Sequence, residues 1–114
     1  MKRALLALAL GLAGAGCTST HYDWGNYEDS VYDVTVRPDS FDLGAEIDAL
    51  EQQIEKTKNK DRPIPPGVHA HVGYLYTVSG NGDAARGHYE AEKALYPESA
   101  KFMDMLLARL TARP

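Results

Sequence analysis

The apolar and polar positions of this 114-residue chain fall into successive regimes, each with its own period. An unbroken apolar run from Ala4 to Leu12 follows two cations, Lys2 and Arg3, and gives way to small residues before Cys17. Residues 18–38 are aromatic and acidic: Tyr22, Trp24, Tyr27 and Tyr32 stand among Asp23, Glu28, Asp29 and Asp33, and Pro38 closes the stretch. From about Ser40 to Asn59 the apolar residues Leu43, Ile47, Leu50 and Ile54 recur at the three-or-four spacing of a helix, as one narrow stripe on a charged rod. Pro63, Pro65 and Pro66 form a stiff break. Helical patterning resumes over 67–110, interrupted at Gly80-Asn81-Gly82 and at Pro97. Phe102, Met103, Leu106, Leu107 and Leu110 are predicted to be the inward face of a closing helix.

These periods predict an all-α fold of three or four helices: a flanking N-terminal helix, a helix–turn–helix, and a C-terminal closing helix. The spacing of Val31, Tyr32, Val34 and Val36 predicts an extended segment ahead of them. The expected divisions are a leader at 1–16, an aromatic segment at 17–38 and a helical domain at 39–114. Ser40, Asp83 and Ser99 are the expected N-caps, since a short side-chain oxygen can accept from an unpaired amide of the first turn. Asp42 suits the positive end of its helix, and Lys56, Lys58 and Lys60 suit the negative end.

The leader carries the most specific chemistry. A basic start, an apolar middle and small residues before a cut make a secretory signal peptide. The middle is about half of the roughly 20 residues a spanning helix needs. Ala15 and Gly16 suit the narrow groove of a signal peptidase, which places cleavage between Gly16 and Cys17. Cys17 is the only cysteine, and its thiolate is the group able to take a diacylglycerol. The lipobox usually has leucine three residues before the cysteine, where this chain has Gly14. The expectation is a lipoprotein whose only added group is the covalent lipid on Cys17, with no other cofactor. Thr18 rather than aspartate follows the cysteine, which favours the outer membrane, periplasmic face. Losing residues 1–16 removes Lys2 and Arg3 and no acid, so the formal charge moves from −4 to −6. That balance argues against nucleic acid as a partner.

Val72, Gly73 and Tyr76, then Ala85, Tyr89 and Pro97, resemble one tetratricopeptide repeat, a helix–turn–helix unit of about 34 residues. Gly73 and Ala85 would let two antiparallel helices approach, and Tyr76 and Tyr89 would fill the space beside them. The chain departs from the repeat at His69, where tryptophan is usual, and at Glu92, where a small residue is usual. The wider chain resembles a family of short bacterial lipoproteins known only as domain of unknown function 4810. The stretches that carry the likeness are Tyr22-Asp23-Trp24-Gly25-Asn26-Tyr27-Glu28 with Ser30 and Tyr32, Pro65 to Leu75, and Glu92 to Ser99 with Phe102-Met103. The resemblance implies no activity. By gene neighbourhood it implies association with a CsgG-like lipoprotein and a second small lipoprotein in a cell-envelope assembly.

No catalytic constellation stands out: there is no Gly-x-Ser-x-Gly and no phosphate loop. His69 and His71, two apart on a helix, point roughly 200° away from each other and cannot share a metal ion there. The expectation is therefore a non-enzymatic module, tethered at the envelope, that binds other proteins. Its partner-binding candidates are His69, Tyr74 and Tyr76 in a groove, with Trp24 as an outlying anchor. Packing of Trp24 and its neighbouring tyrosines as a cap over the helices is the competing expectation for that zone. Peptidoglycan binding, or regulation of its synthesis, is the alternative role.

Overall fold

A computed structural model describes residues 21–112. The leader at 1–16, its cleavage site after Gly16 and the lipidation site Cys17 lie outside the described residues. Five α-helices follow one another: α1 (Tyr27–Val36), α2 (Leu43–Asn59), α3 (Val68–Ser79), α4 (Gly82–Leu95) and α5 (Ala100–Ala112). A single 3-10 turn, Pro97–Ser99, links α4 to α5. The all-α expectation holds, and no strand occurs among the described residues.

The helix count is five rather than three or four because the segment expected to be extended winds into α1. Tyr27, Val31 and Val34 lie one turn apart on a single face, with the buried Ser30 beside them. Glu28 and Asp29 sit in the first turn, where the helix dipole favours anions. These contributions outweigh the extended preference of the β-branched residues. Tyr27 and Val34 pack against the same core as α2 and α3, so α1 is part of the helical body and not a separate segment.

In α2 the cap is Asp42, not Ser40. The Asp42 carboxylate accepts from the Ala45 amide at 3.0 Å, whereas the Ser40 hydroxyl donates to the Arg37 carbonyl one turn earlier. Ile47, Leu50 and Ile54 are buried as the stripe predicts, and Leu43 is partly buried. Each fully buried side chain of this size contributes roughly 1.5–3 kcal/mol.

The helix–turn–helix of α3 and α4 is the centre of the fold. Gly73 makes their close approach possible: a Cβ there would lie 2.5 Å from the Tyr89 ring. Asn81, not Asp83, caps α4 by accepting from the Ala84 amide at 3.1 Å. Ser99 does not cap α5; its hydroxyl donates to the Tyr96 carbonyl at 2.7 Å within the 3-10 turn. The principal contacts from α2 onward join helices adjacent in sequence, α2 with α3, α3 with α4 and α4 with α5.

Two apolar clusters result. The first holds Ile47, Leu50, Ile54, Ile64, Val68, Val72 and Leu75, between α2 and α3. The second holds Ala85, Tyr89, Met103 and Leu107, between α4 and α5. Tyr76 packs against both. Phe102, expected to face inward, is 54 % exposed, because Met103 and Leu107 take the inward phase of α5.

Candidate functional site

Helical phase divides α3 into two sides. Val68, Val72 and Leu75 turn to α2 and are buried. Gly67, Ala70, His71 and Tyr74, at the helix start and along its other side, line a depression of about 450 Å³. Tyr27 and Val31 of α1 wall it, Phe102, Met103 and Leu106 of α5 wall it too, and Tyr89 and Glu92 of α4 complete the lining. A second depression, along α1, shares Tyr27 and Val31 and continues to Tyr32 and Val36. A third shares Tyr74, Tyr89 and Leu106 and continues to Arg109 and Leu110. Together they make one mostly apolar trough. Tyr32, Val36, Tyr74 and Phe102 stand about half exposed along it. Large apolar side chains grouped in this way, rather than scattered singly, mark a contact surface.

Two polar devices shape the trough. Ser30 of α1 is buried and lies 2.9 Å from His71 Nε2, which joins α1 to α3. The Tyr27 ring meets the His71 ring edge-on at 5.7 Å. Burial pushes the His71 pKa down, so the ring is held neutral.

The second device is Glu92, which is only 3 % exposed. It stands near the end of α4 and reaches the start of α3, where helix amides lack partners. Its Oε1 accepts the Gly67 N–H at 2.6 Å. Gly67 itself adopts φ +94°, and a Cβ there would lie 2.9 Å from the Tyr27 hydroxyl, so the position demands glycine. Burial raises the Glu92 pKa; the amides of Gly67, Ala70 and His69 draw it back down, and Glu98 raises it further. Glu92 Oε2 is buried and has no hydrogen-bond partner among the described residues. The departure from the repeat pattern at position 92 is thus a carboxylate that serves the amides of another helix.

His69 and Tyr76 do not line this trough. His69 is 5 % exposed, with its Nδ1 2.9 Å from His88 Nδ1. His88 Nε2 in turn lies 2.5 Å from Glu51 Oε1. Tyr76 stacks on the His88 ring at 5.5 Å. Burial first, then the neighbouring His88, lowers the His69 pKa to about 4. The Glu51–His88–His69 chain is an interhelical clamp joining α2, α4 and α3. The expected groove of His69, Tyr74 and Tyr76 is corrected accordingly: only Tyr74 lies in the trough, because residues 69 and 76 share a helical phase that residue 74 does not.

Trp24 is half-buried over the first cluster, in a small cleft with Leu50, Ile54, Ile64 and Val68. Its ring packs on Tyr22 at 5.8 Å and on Tyr27 at 5.5 Å. The Asp23–Lys60 ion pair, at 3.8 Å, ties the same segment to the end of α2. Trp24 therefore caps the core rather than standing apart from it. Among the described residues no group of His, Cys, Asp and Glu has the arrangement to hold a metal ion. No described helix is long and apolar enough to cross a membrane.

The trough residues Val31, His71 and Phe102, which sequence reasoning did not nominate, were accessible through phase. Ala70, His71 and Tyr74 occupy one side of α3, and Phe102 and Leu106 one side of α5. The family model described as Domain of unknown function (DUF4810) matches residues 21–106. No curated protein and no solved structure gives a significant match to the chain.

Proposed function

The chain belongs to the DUF4810 family, and we propose that it is a non-enzymatic interaction module of the cell envelope that binds another protein along the trough between α1, α3 and α5. The observation that carries this reading is the continuity of the three apolar depressions beneath Tyr32, Val36, Tyr74 and Phe102. An apolar trough between helices suits an amphipathic segment of a partner, whose apolar side chains would be withdrawn from water on binding. Few polar groups line it, which favours a polypeptide over peptidoglycan, the alternative role.

In this reading the tetratricopeptide-like pair α3–α4 is the scaffold, and a lipid on Cys17 holds it at the outer membrane, facing the periplasm. Tethering raises the effective concentration toward partners at the same surface. A CsgG-like lipoprotein is the first partner to test. The test compares wild type, Cys17→Ser and Phe102→Ala in cells. Cys17→Ser is expected to leave the membrane fraction. Phe102→Ala is expected to stay there but lose its co-purifying envelope protein. Retention of that protein by Phe102→Ala would exclude the trough as the binding surface.

A further inference from the structure

Glu92 is the buried acid in the mostly apolar lining of the first depression, and its carboxylate is incompletely paired. One carboxylate oxygen is used at the start of α3, and the other is buried with no partner among the described residues. A buried acceptor without a donor is costly, and native structures seldom leave one without a reason. The contrast inside this molecule is direct. Glu51, more exposed, takes His88, and His88 in turn takes His69. Glu92, which lines the depression, is served by the amides at the start of α3 and by no other side chain among the described residues.

Resting on the trough as a docking surface, we infer that its occupant is an apolar helical segment of a partner protein carrying one lysine or arginine, whose cationic head reaches Glu92. Charge complementarity supports this choice. Glu28 borders the adjoining depression along α1, and Glu98 raises the potential cost of charge on Glu92 from close by. Among the described residues, Arg109 lines the far end of the third depression and Arg37 stands over the Tyr32 ring at 5.3 Å, so both cations lie at the ends of the trough, away from Glu92. The chain as a whole carries 16 acidic against 12 basic residues. A long basic side chain also suits the path, since its methylenes would pass over Val31, Phe102 and Met103 before the head meets the carboxylate.

The test uses two helical leucine–alanine peptides that differ at one central position of the apolar face, lysine in one and norleucine in the other. Binding to the full chain is read by fluorescence anisotropy, and the Glu92 side-chain carboxyl is followed by ¹³C NMR. The lysine peptide is expected to bind about tenfold more tightly, as one charge-assisted hydrogen bond would give. It is also expected to move the Glu92 carboxyl signal, and in Glu92→Gln the preference is expected to vanish while apolar binding persists. Equal binding of the two peptides, with the carboxyl signal unmoved, would overturn the Glu92 inference and leave the trough standing. Failure of both peptides to perturb Tyr74 and Phe102, or self-association of the chain through these residues, would remove the trough reading itself. The carboxyl signal is read in the wild-type chain, so the inference stays testable if Glu92→Gln does not fold.

Discussion

The two sides of α3 are built from alternating short steps of one sequence, yet they meet different ends. Val68, Val72 and Leu75 close on α2 and exclude water; Ala70, His71 and Tyr74 face a trough whose walls do not meet. The polar groups follow the same division. On the α2 side, His69, His88 and Glu51 bond in a chain, while on the trough side Glu92 keeps one oxygen without a partner among the described residues. The closed side holds the fold together. The open side retains exposed aromatic area and an incomplete polar group, which are the features of a surface still able to gain by contact.

Gly73→Val should have the largest effect, because it strikes the α3–α4 contact on which both sides depend. The new side chain would collide with the Tyr89 ring, and a loss of about 3 kcal/mol is expected, read by urea denaturation. Leu50→Ala, confined to the closed side, should cost about 2 kcal/mol in the same measurement, with the spread depending on how far the site collapses. A loss below about 1 kcal/mol would mean that the closed side is not the core.

The pH dependence separates the sides next. His69 has its pKa lowered to about 4 in the folded chain, below its ordinary value of 6.5. Its contribution is therefore fully present above pH 6.5 and lost as pH falls from 6.5 toward 4. The shift at His71 acts in the same direction. Glu92, with its pKa raised, acts oppositely: protonation favours the folded state, so its contribution to stability falls as pH rises through the raised value. Denaturation midpoints should drop between pH 6.5 and 4 in the wild type, and drop less in His69→Leu. An unchanged slope in that variant would place the acid sensitivity elsewhere. The smallest effect is expected from Phe102→Ala, within about 0.5 kcal/mol of wild type, since this half-exposed ring touches solvent rather than core.

Much of the closed side was legible in the sequence, and the reason is local. The stripe of Leu43, Ile47, Leu50 and Ile54 is a periodic signal, and the approach of Gly73 to Tyr89, which supports both sides, falls at positions where the chain resembles a tetratricopeptide repeat. The α1 helix is not legible locally because its β-branched residues favour strand, whereas its burial depends on α2 and α3, which are distant in sequence. The sequence suggests a groove of His69, Tyr74 and Tyr76, whereas helical phase sets His69 and Tyr76 apart from Tyr74; their partner, His88, lies on the next helix. Glu92 was visible only as a departure from a small-residue position. Its role depends on amides some 25 residues earlier, which no local pattern reports.

Photocrosslinking in intact cells tests the division of the two sides most directly. A photoreactive residue would be placed at Phe102 or Tyr74 on the trough, and at the exposed Gln52 on α2 as the control. A discrete adduct with one envelope protein is expected from positions 102 and 74, with none from position 52. Adducts from position 52 alone, or the same adducts from all three positions, would contradict the assignment of the trough as the binding side.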